Sequence, residues 1–309
     1  MAAAAAPPLR AILIGTHHKS GTVWMRTLFE QIAAALGAPF VRLDEHASID
    51  LAALASTAPL QLLFQDHAFF GDIAGDTELR RGVRGCHVIR DPRDLLISAA
   101  NYHGWSNEDW LHEVRADLGD RSYQQALCAL DFDSTIAFEM RHSAGRAIRD
   151  MRSFERGEHF FDVKVEDLMR ASPVVAWAFF TRLGFAVDER RACLDAFAAT
   201  RLRNPRPKLR GHVQNPDCYQ WRYMFDEALL TTFVERCGDV AEALGYAPSS
   251  ATELRPDPVA KAAYLARFYA NRGACGQALE LLAEARAEHP DAVPLLVAER
   301  LVVELESSS

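Results

Sequence analysis

Residues Gly15 to Trp24, GTHHKSGTVW, bring a lysine, two small hydroxyl residues and a glycine to the point where an apolar run gives way to a helical pattern. A lysine beside successive backbone N–H groups at a helix start can hold a phosphate or sulfate group, because the helix dipole and the unpaired amides both favour an anion there. A nucleotide loop of the Walker type reads G-x-x-x-x-G-K-[ST]. Counted from Gly15, that pattern wants glycine at 20, lysine at 21 and Ser or Thr at 22. The chain has Ser20, Gly21 and Thr22, with its lysine at Lys19. The displaced lysine predicts a changed approach to the terminal anionic group. A second cation stands in VIRDPRD, where Arg90 takes the place expected of a magnesium-binding Asp. Asp91 reads as the N-cap of a helix opened by Pro92. Two cationic strand ends without a clear metal carboxylate predict a donor with several anionic groups, neutralised by the protein itself.

The elements that must position these groups are legible from periodicity. RAILIG (10–15) is a short branched run ended by glycine, which predicts a buried strand. Over 22–36 the apolar residues Trp24, Leu28, Ile32 and Ala35 recur at helical spacing, with Gly37 as the stop. Further strands are predicted at 60–67, 85–91 and 159–168. Helices are expected at 92–103, 106–118, 122–130, 134–152 and 172–184, with a long helical stretch over 221–245. Strands alternating with helices predict an α/β fold, a parallel sheet flanked by helices. After a Pro/Ser-rich linker at 247–258, the residues Leu265, Ala266, Tyr269, Ala278, Leu282, Ala285 and Pro290 fall at the spacings of a tetratricopeptide repeat, a unit of roughly 34 residues. The expected organisation is a disordered 1–8, a main domain over 9–246, the linker, and a small helical TPR-like tail over 259–309. One such repeat cannot bury both faces, so the tail is expected to dock on the main domain or to serve a second copy or another protein partner.

Composition narrows the classes. A formal charge of −8 and a pI near 5.8 argue against a nucleic-acid partner held on a broad basic face. The six cysteines are scattered without C-x-x-C, so reduced thiols and no zinc site are expected. Pro7 and Pro8 interrupt the N-terminus before an apolar helix could form, and AILIG is too short to span a bilayer. The sequence therefore predicts a cytoplasmic protein with no membrane contact.

Taken together, the two cationic junctions resemble the sulfotransferases that use 3′-phosphoadenosine 5′-phosphosulfate (PAPS). KSGTVW is similar to the family's K-S-G-T-T-W loop, and RDPRDLLISAANYH to its second signature, an Arg followed eight residues later by Ser. The resemblance covers most of 9–245 and implies the family's P-loop-like fold. It implies that Lys19, Ser20, Gly21 and Thr22 hold the 5′-phosphosulfate, with the Val23 amide beside them and Trp24 against the adenine. Val23 stands where the family has a second threonine, so a hydroxyl contact is lost. Arg90 and Ser98 would bind the 3′-phosphate. Arg210 and Gly211, in the basic segment RLRNPRPKLRG, match the end of an R-K-G segment that closes over that phosphate, with Leu209 where a basic residue is expected.

The implied reaction moves a sulfuryl group from PAPS to a hydroxyl or amine, releases adenosine 3′,5′-bisphosphate and requires no metal. His67, at the end of LFQDH, occupies the family's catalytic-histidine position and would act as general base, since an imidazole with a pKa of about 6.5 can take the acceptor's proton. Gln65 stands where a lysine is frequent, leaving Lys19 to meet the leaving group. His103 and the pair His17–His18 are the competing histidines, the pair being read as loop residues near the donor and not as metal ligands. Aromatic residues at Phe40, Phe69, Phe70, Tyr102, Trp105, Trp110 and Tyr219 suit a small acceptor. Two other readings stay open. One is a P-loop kinase-like phosphotransferase using magnesium and ATP. The other is an inactive sulfotransferase-like domain that binds partners through its tail, to which Val23 and Gln65 lend support.

Overall fold

The branched residues of RAILIG form, in the computed structural model, the buried central strand β1 (Arg10–Gly15) of a five-stranded parallel sheet. The structure describes residues 10–43, 49–50, 60–68, 73–74, 82–154, 160–201 and 217–307. The other strands are β2 (Phe40–Leu43), β3 (Leu60–Gln65), β4 (Val83–Ile89) and β5 (Phe160–Lys164), in the order β2-β3-β1-β4-β5. Leu13 of β1 faces Leu63 on one side and Gly85 on the other, and every pairing in this sheet is parallel. β3 is buried from end to end, as a strand covered on both faces requires. Because β1 lies between β3 and β4, the strand order reverses at its C-terminal end, the position where open α/β sheets take their ligands.

Helix α1 (Thr22–Leu36) follows the loop with the expected bounds, and Gly37 closes it by donating its N–H to the Ala33 and Ala34 carbonyls. Its buried face, from Trp24 to Ala33, packs into a core shared with Phe161, Phe179, Phe180 and Phe197. Phe197 belongs to the helix Glu189–Thr200, which the sequence reading missed although Cys193, Ala196 and Phe197 form its buried stripe. The short strand β2 was missed as well; its four residues are too few to show a period. The strand expected over 159–168 stops at Lys164 and turns into the helix Val165–Arg170, whose first turn carries Glu166 and Asp167. Acidic side chains there complement the helix dipole, which outweighs the apolar strand-like pattern.

By contacts the chain divides into two units, Met1–Arg90 with Ala147–Arg203, and Asp91–Arg146 with Asn204–Ser309. The sheet and α1 belong to the first. The second begins with α2 (Pro92–His103), for which Asp91 is the N-cap, accepting from the Arg93 N–H as the sequence predicts. Arg93 is fully buried; its guanidinium pairs with Asp91 at 2.8 Å and lies 3.6 Å from the centre of the Trp221 ring. Trp221 in turn donates its indole N–H to Asp91 and its backbone N–H to Asp94. A buried ion pair persists only when its remaining donors find acceptors, and the carbonyl of Ala247, 3.0 Å from Arg93 Nη2, supplies one.

Elsewhere the long helices read from the sequence are interrupted. The expected 106–118 contains the single turn Asp109–His112 and then a short antiparallel pair, Val114–Arg115 with Arg121–Ser122. His142 divides 134–152 into Phe132–Arg141 and Ser143–Ser153. Gly238 and the Asp226 N-cap break up 221–245.

The tail forms three helices, Pro258–Ala270, Cys275–Glu288 and Val293–Glu306, packed through Ala263, Ala266, Ala270, Ala278, Leu282, Leu295, Ala298 and Val302. Small residues let these helices approach closely. The first helix docks on α2: Tyr264 donates to the Ile97 carbonyl and Asn271 Nδ2 to Asn101 Oδ1. Arg272 lies over the Phe268 ring and donates to the carbonyls of Ala100 and Leu130 and to the Thr135 hydroxyl. Arg272→Ala removes all three donations from a half-buried place, so the unfolding free energy should fall by about 1–3 kcal/mol, read as a lower urea midpoint.

Candidate functional site

The loop between β1 and α1 is organised around His17. Its carbonyl accepts from the Ser20 N–H at 2.9 Å, the Ser20 hydroxyl at 2.9 Å and the Thr22 hydroxyl at 3.0 Å. Its N–H donates to Ser20 Oγ at 2.8 Å. Thr22 Oγ1 also lies 2.9 Å from Thr16 Oγ1, and the Thr16 backbone bonds to the Gln65 carbonyl and the Ala68 N–H at the end of β3. The hydroxyls that the sequence assigned to the anion are therefore engaged within the loop.

Two residues of the turn adopt the left-handed conformation, Lys19 at φ 65° and Gly21 at φ 100°. At Gly21 a side chain is also excluded by space, since a Cβ would lie 2.7 Å from Val165 Cγ2. Gly21 is the N-cap of α1 and makes no side-chain cap, and the first turn holds no acidic residue. The leading N–H groups of a helix have no intrahelical acceptor, so this end is positive and lacks a protein anion within its first turn. Arg90, which follows β4, reaches the same turn and donates from Nη1 to the Lys19 carbonyl at 3.0 Å. The two cations chosen from the sequence thus meet at one loop. Val23 is half-buried at the start of α1. Trp24 is 8 % exposed, lies 6.0 Å from the Phe197 ring, and has no partner for its indole N–H among the described residues.

His67 is exposed just beyond β3, in the left-handed conformation at φ 57°, with its ring parallel to that of His18 at 6.0 Å. Ser98 is half-buried midway along α2 in the second unit. Arg210, Gly211, Phe69, Phe70, most of the basic segment and residues 1–8 lie outside the described residues. The competitor His103 is buried, with Nδ1 2.6 Å from Glu139 Oε1. Tyr102 and Trp110, offered as pocket aromatics, both donate to Glu108.

The sequence reading missed a line of polar residues behind the loop, two buried histidines and a half-buried aspartate. His17 Nε2 lies 2.7 Å from His87 Nε2, and His87 Nδ1 lies 3.0 Å from Asp162 Oδ1. Strand register produces it: Gly15 faces His87 across β1 and β4, and His87 faces Asp162 across β4 and β5. The signal in the sequence was a histidine inside GCHVI and an aspartate inside FFDVK, polar residues in apolar strands that must find partners.

None of the six cysteines forms a disulfide among the described residues. Among the described residues no group of three or more His, Cys, Asp or Glu is arranged to hold a metal ion, and no helix is long and apolar enough to cross a membrane. No protein-family model matches the chain, and no curated protein matches it in sequence. Among solved structures, that of mouse sulfotransferase SULT7A1 complexed with PAP is similar over 98 % of this chain and 91 % of that one, at 14 % identity and a TM-score of 0.36.

Burial holds the His17 pKa well below 6.5, with the neighbouring His87 and His67 adding to the effect. The folded state therefore binds fewer protons here than the unfolded chain once the pH drops through 6.5, and stability falls with it. Between about pH 7 and 5.5 the wild-type protein should lose roughly 1 kcal/mol more than His17→Gln, measured by urea unfolding at each pH.

Proposed function

We propose that the protein is a PAPS-dependent sulfotransferase acting on the hydroxyl or amine of a small molecule. The observation that carries this reading is the meeting of Lys19 and Arg90 at the uncapped start of α1. Backbone amides of Gly21, Thr22 and Val23 with the Lys19 ammonium would hold the phosphosulfate. Arg90 would serve the 3′-phosphate through guanidinium donors beyond the one given to Lys19, a guanidinium having five. Trp24 toward the adenine, Ser98, and the closing pair Arg210 and Gly211 enter the proposal through the family resemblance.

In the chemical step the acceptor oxygen or nitrogen bonds to sulfur as the sulfur–oxygen bond to the nucleotide breaks. His67 takes the acceptor's proton, and Lys19 meets the charge developing on the departing oxygen. Support for pairing these two residues comes from the backbone. Lys19 and His67 are two of only four non-glycine residues at positive φ among those described, and such conformations gather at functional sites. A small acceptor and a cytoplasmic setting remain part of the proposal, as does a partner-binding role for the tail.

Titration with adenosine 3′,5′-bisphosphate in EDTA should raise the melting temperature, because a ligand specific for the folded state stabilises it. Lys19→Ala should weaken that binding about tenfold to a hundredfold. With labelled PAPS and a mixed panel of phenols, alcohols and amines, an acceptor should gain one sulfuryl mass. His67→Ala should lower turnover by more than about tenfold with donor affinity kept. Stabilisation by magnesium–ATP, and none by the bisphosphate, would replace this reading with the kinase-like one.

A further inference from the structure

Behind the anion loop, in the order Asp162, His87, His17, one carboxylate and two imidazoles form a continuous hydrogen-bonded line. Both histidines are 1 % exposed, and the His87 ring is covered by Phe154, stacked at 3.9 Å. A contact of 2.7 Å between two Nε2 atoms permits one proton and not two. A carboxylate only accepts, so Asp162 fixes a proton on His87 Nδ1. With His87 neutral, its lone pair lies on Nε2 and His17 is the donor, protonated on its own Nε2. The two rings are thereby set in opposite tautomers.

This arrangement bears on the loop because His17 is the residue on which the loop hangs. Its carbonyl receives Ser20 and Thr22, and its N–H is held by Ser20. The bond to His87 ties residue 17 to β4, so its loss would loosen the backbone at the residue that receives Ser20 and Thr22. Among the described residues, the charged and titratable groups at the line and its loop include Asp162 from β5, His67 beyond β3, and His18, Lys19 and Arg90 at the loop itself. Every cation among them opposes a second proton on the histidine pair.

We propose that His87, held by Asp162, is a positioning residue for the anion loop: it accepts the hydrogen bond of His17 and so fixes the carbonyl that organises Ser20 and Thr22. Its effect on donor affinity rests on the sulfotransferase reading; its effect on the loop does not.

Three proteins test it: wild type, His87→Leu and His87→Gln. Nitrogen NMR of histidine-labelled wild type, without ligand at about pH 7.5, should find His87 protonated on Nδ1 and His17 on Nε2. Two rings both protonated on Nε2 would overturn the proposal. In His87→Leu the acceptor is gone, and hydrogen exchange at the Ser20 amide should quicken at least about tenfold. Affinity for adenosine 3′,5′-bisphosphate should fall about tenfold to a hundredfold. In His87→Gln the side-chain oxygen replaces the acceptor, so most of the protection and affinity should return. A packing role alone would favour leucine over glutamine, and that order, or unchanged exchange in both variants, rejects the proposal. If wild type binds no bisphosphate while the tautomers and the exchange pattern hold, the proposed function fails and the positioning role stands.

Discussion

One carbonyl oxygen, that of His17, holds three donors from two residues within 3.0 Å. Everything the loop can offer an anion follows from it. With the hydroxyls of Ser20 and Thr22 turned inward to that oxygen, the turn closes with Lys19 and Gly21 in the left-handed region and without a side-chain cap on α1. A loop whose hydroxyls instead faced the ligand would need another device to keep its shape. Here the side chains of Ser20 and Thr22 brace the turn, and Arg90 holds it from the end of the neighbouring strand.

Much of this was readable in the amino-acid order because the relevant physics is local. The bounds of α1 follow from its apolar stripe and Gly37, and those of α2 from an Asp–Pro start whose cap the structure contains. That Lys19 and Arg90 each stand at a strand end was legible too, while their meeting follows from the pairing of those two strands in the structure. What escaped was non-local or too short. The strand β2 has four residues and no period to read. His17 passed for a loop residue because its partner His87 is distant in sequence and becomes adjacent only through the register of β1 with β4. The break at Lys164 went unseen because Val163, Val165 and Leu168 suit a strand and a helix start alike.

The second unit shows a different use of buried polarity. Arg93 carries a full charge to zero exposure, yet its guanidinium is met by a carboxylate, a backbone carbonyl and an aromatic face. Asp91 and Asp94 extend the same economy to Trp221, which joins residues distant in sequence to the first turn of α2. Such networks specify one arrangement, because any other leaves a charge in an apolar place without a partner.

The seal over α2 also has a history in time. Asn271 reaches Asn101 across 170 residues of sequence, an interval that a ribosome crosses in roughly 10–30 s. Throughout that interval the nascent α2 is without the segment that covers its carbonyls and its apolar side. The second unit can close only late in translation, which makes its early helices natural clients for chaperones that shield exposed apolar surface.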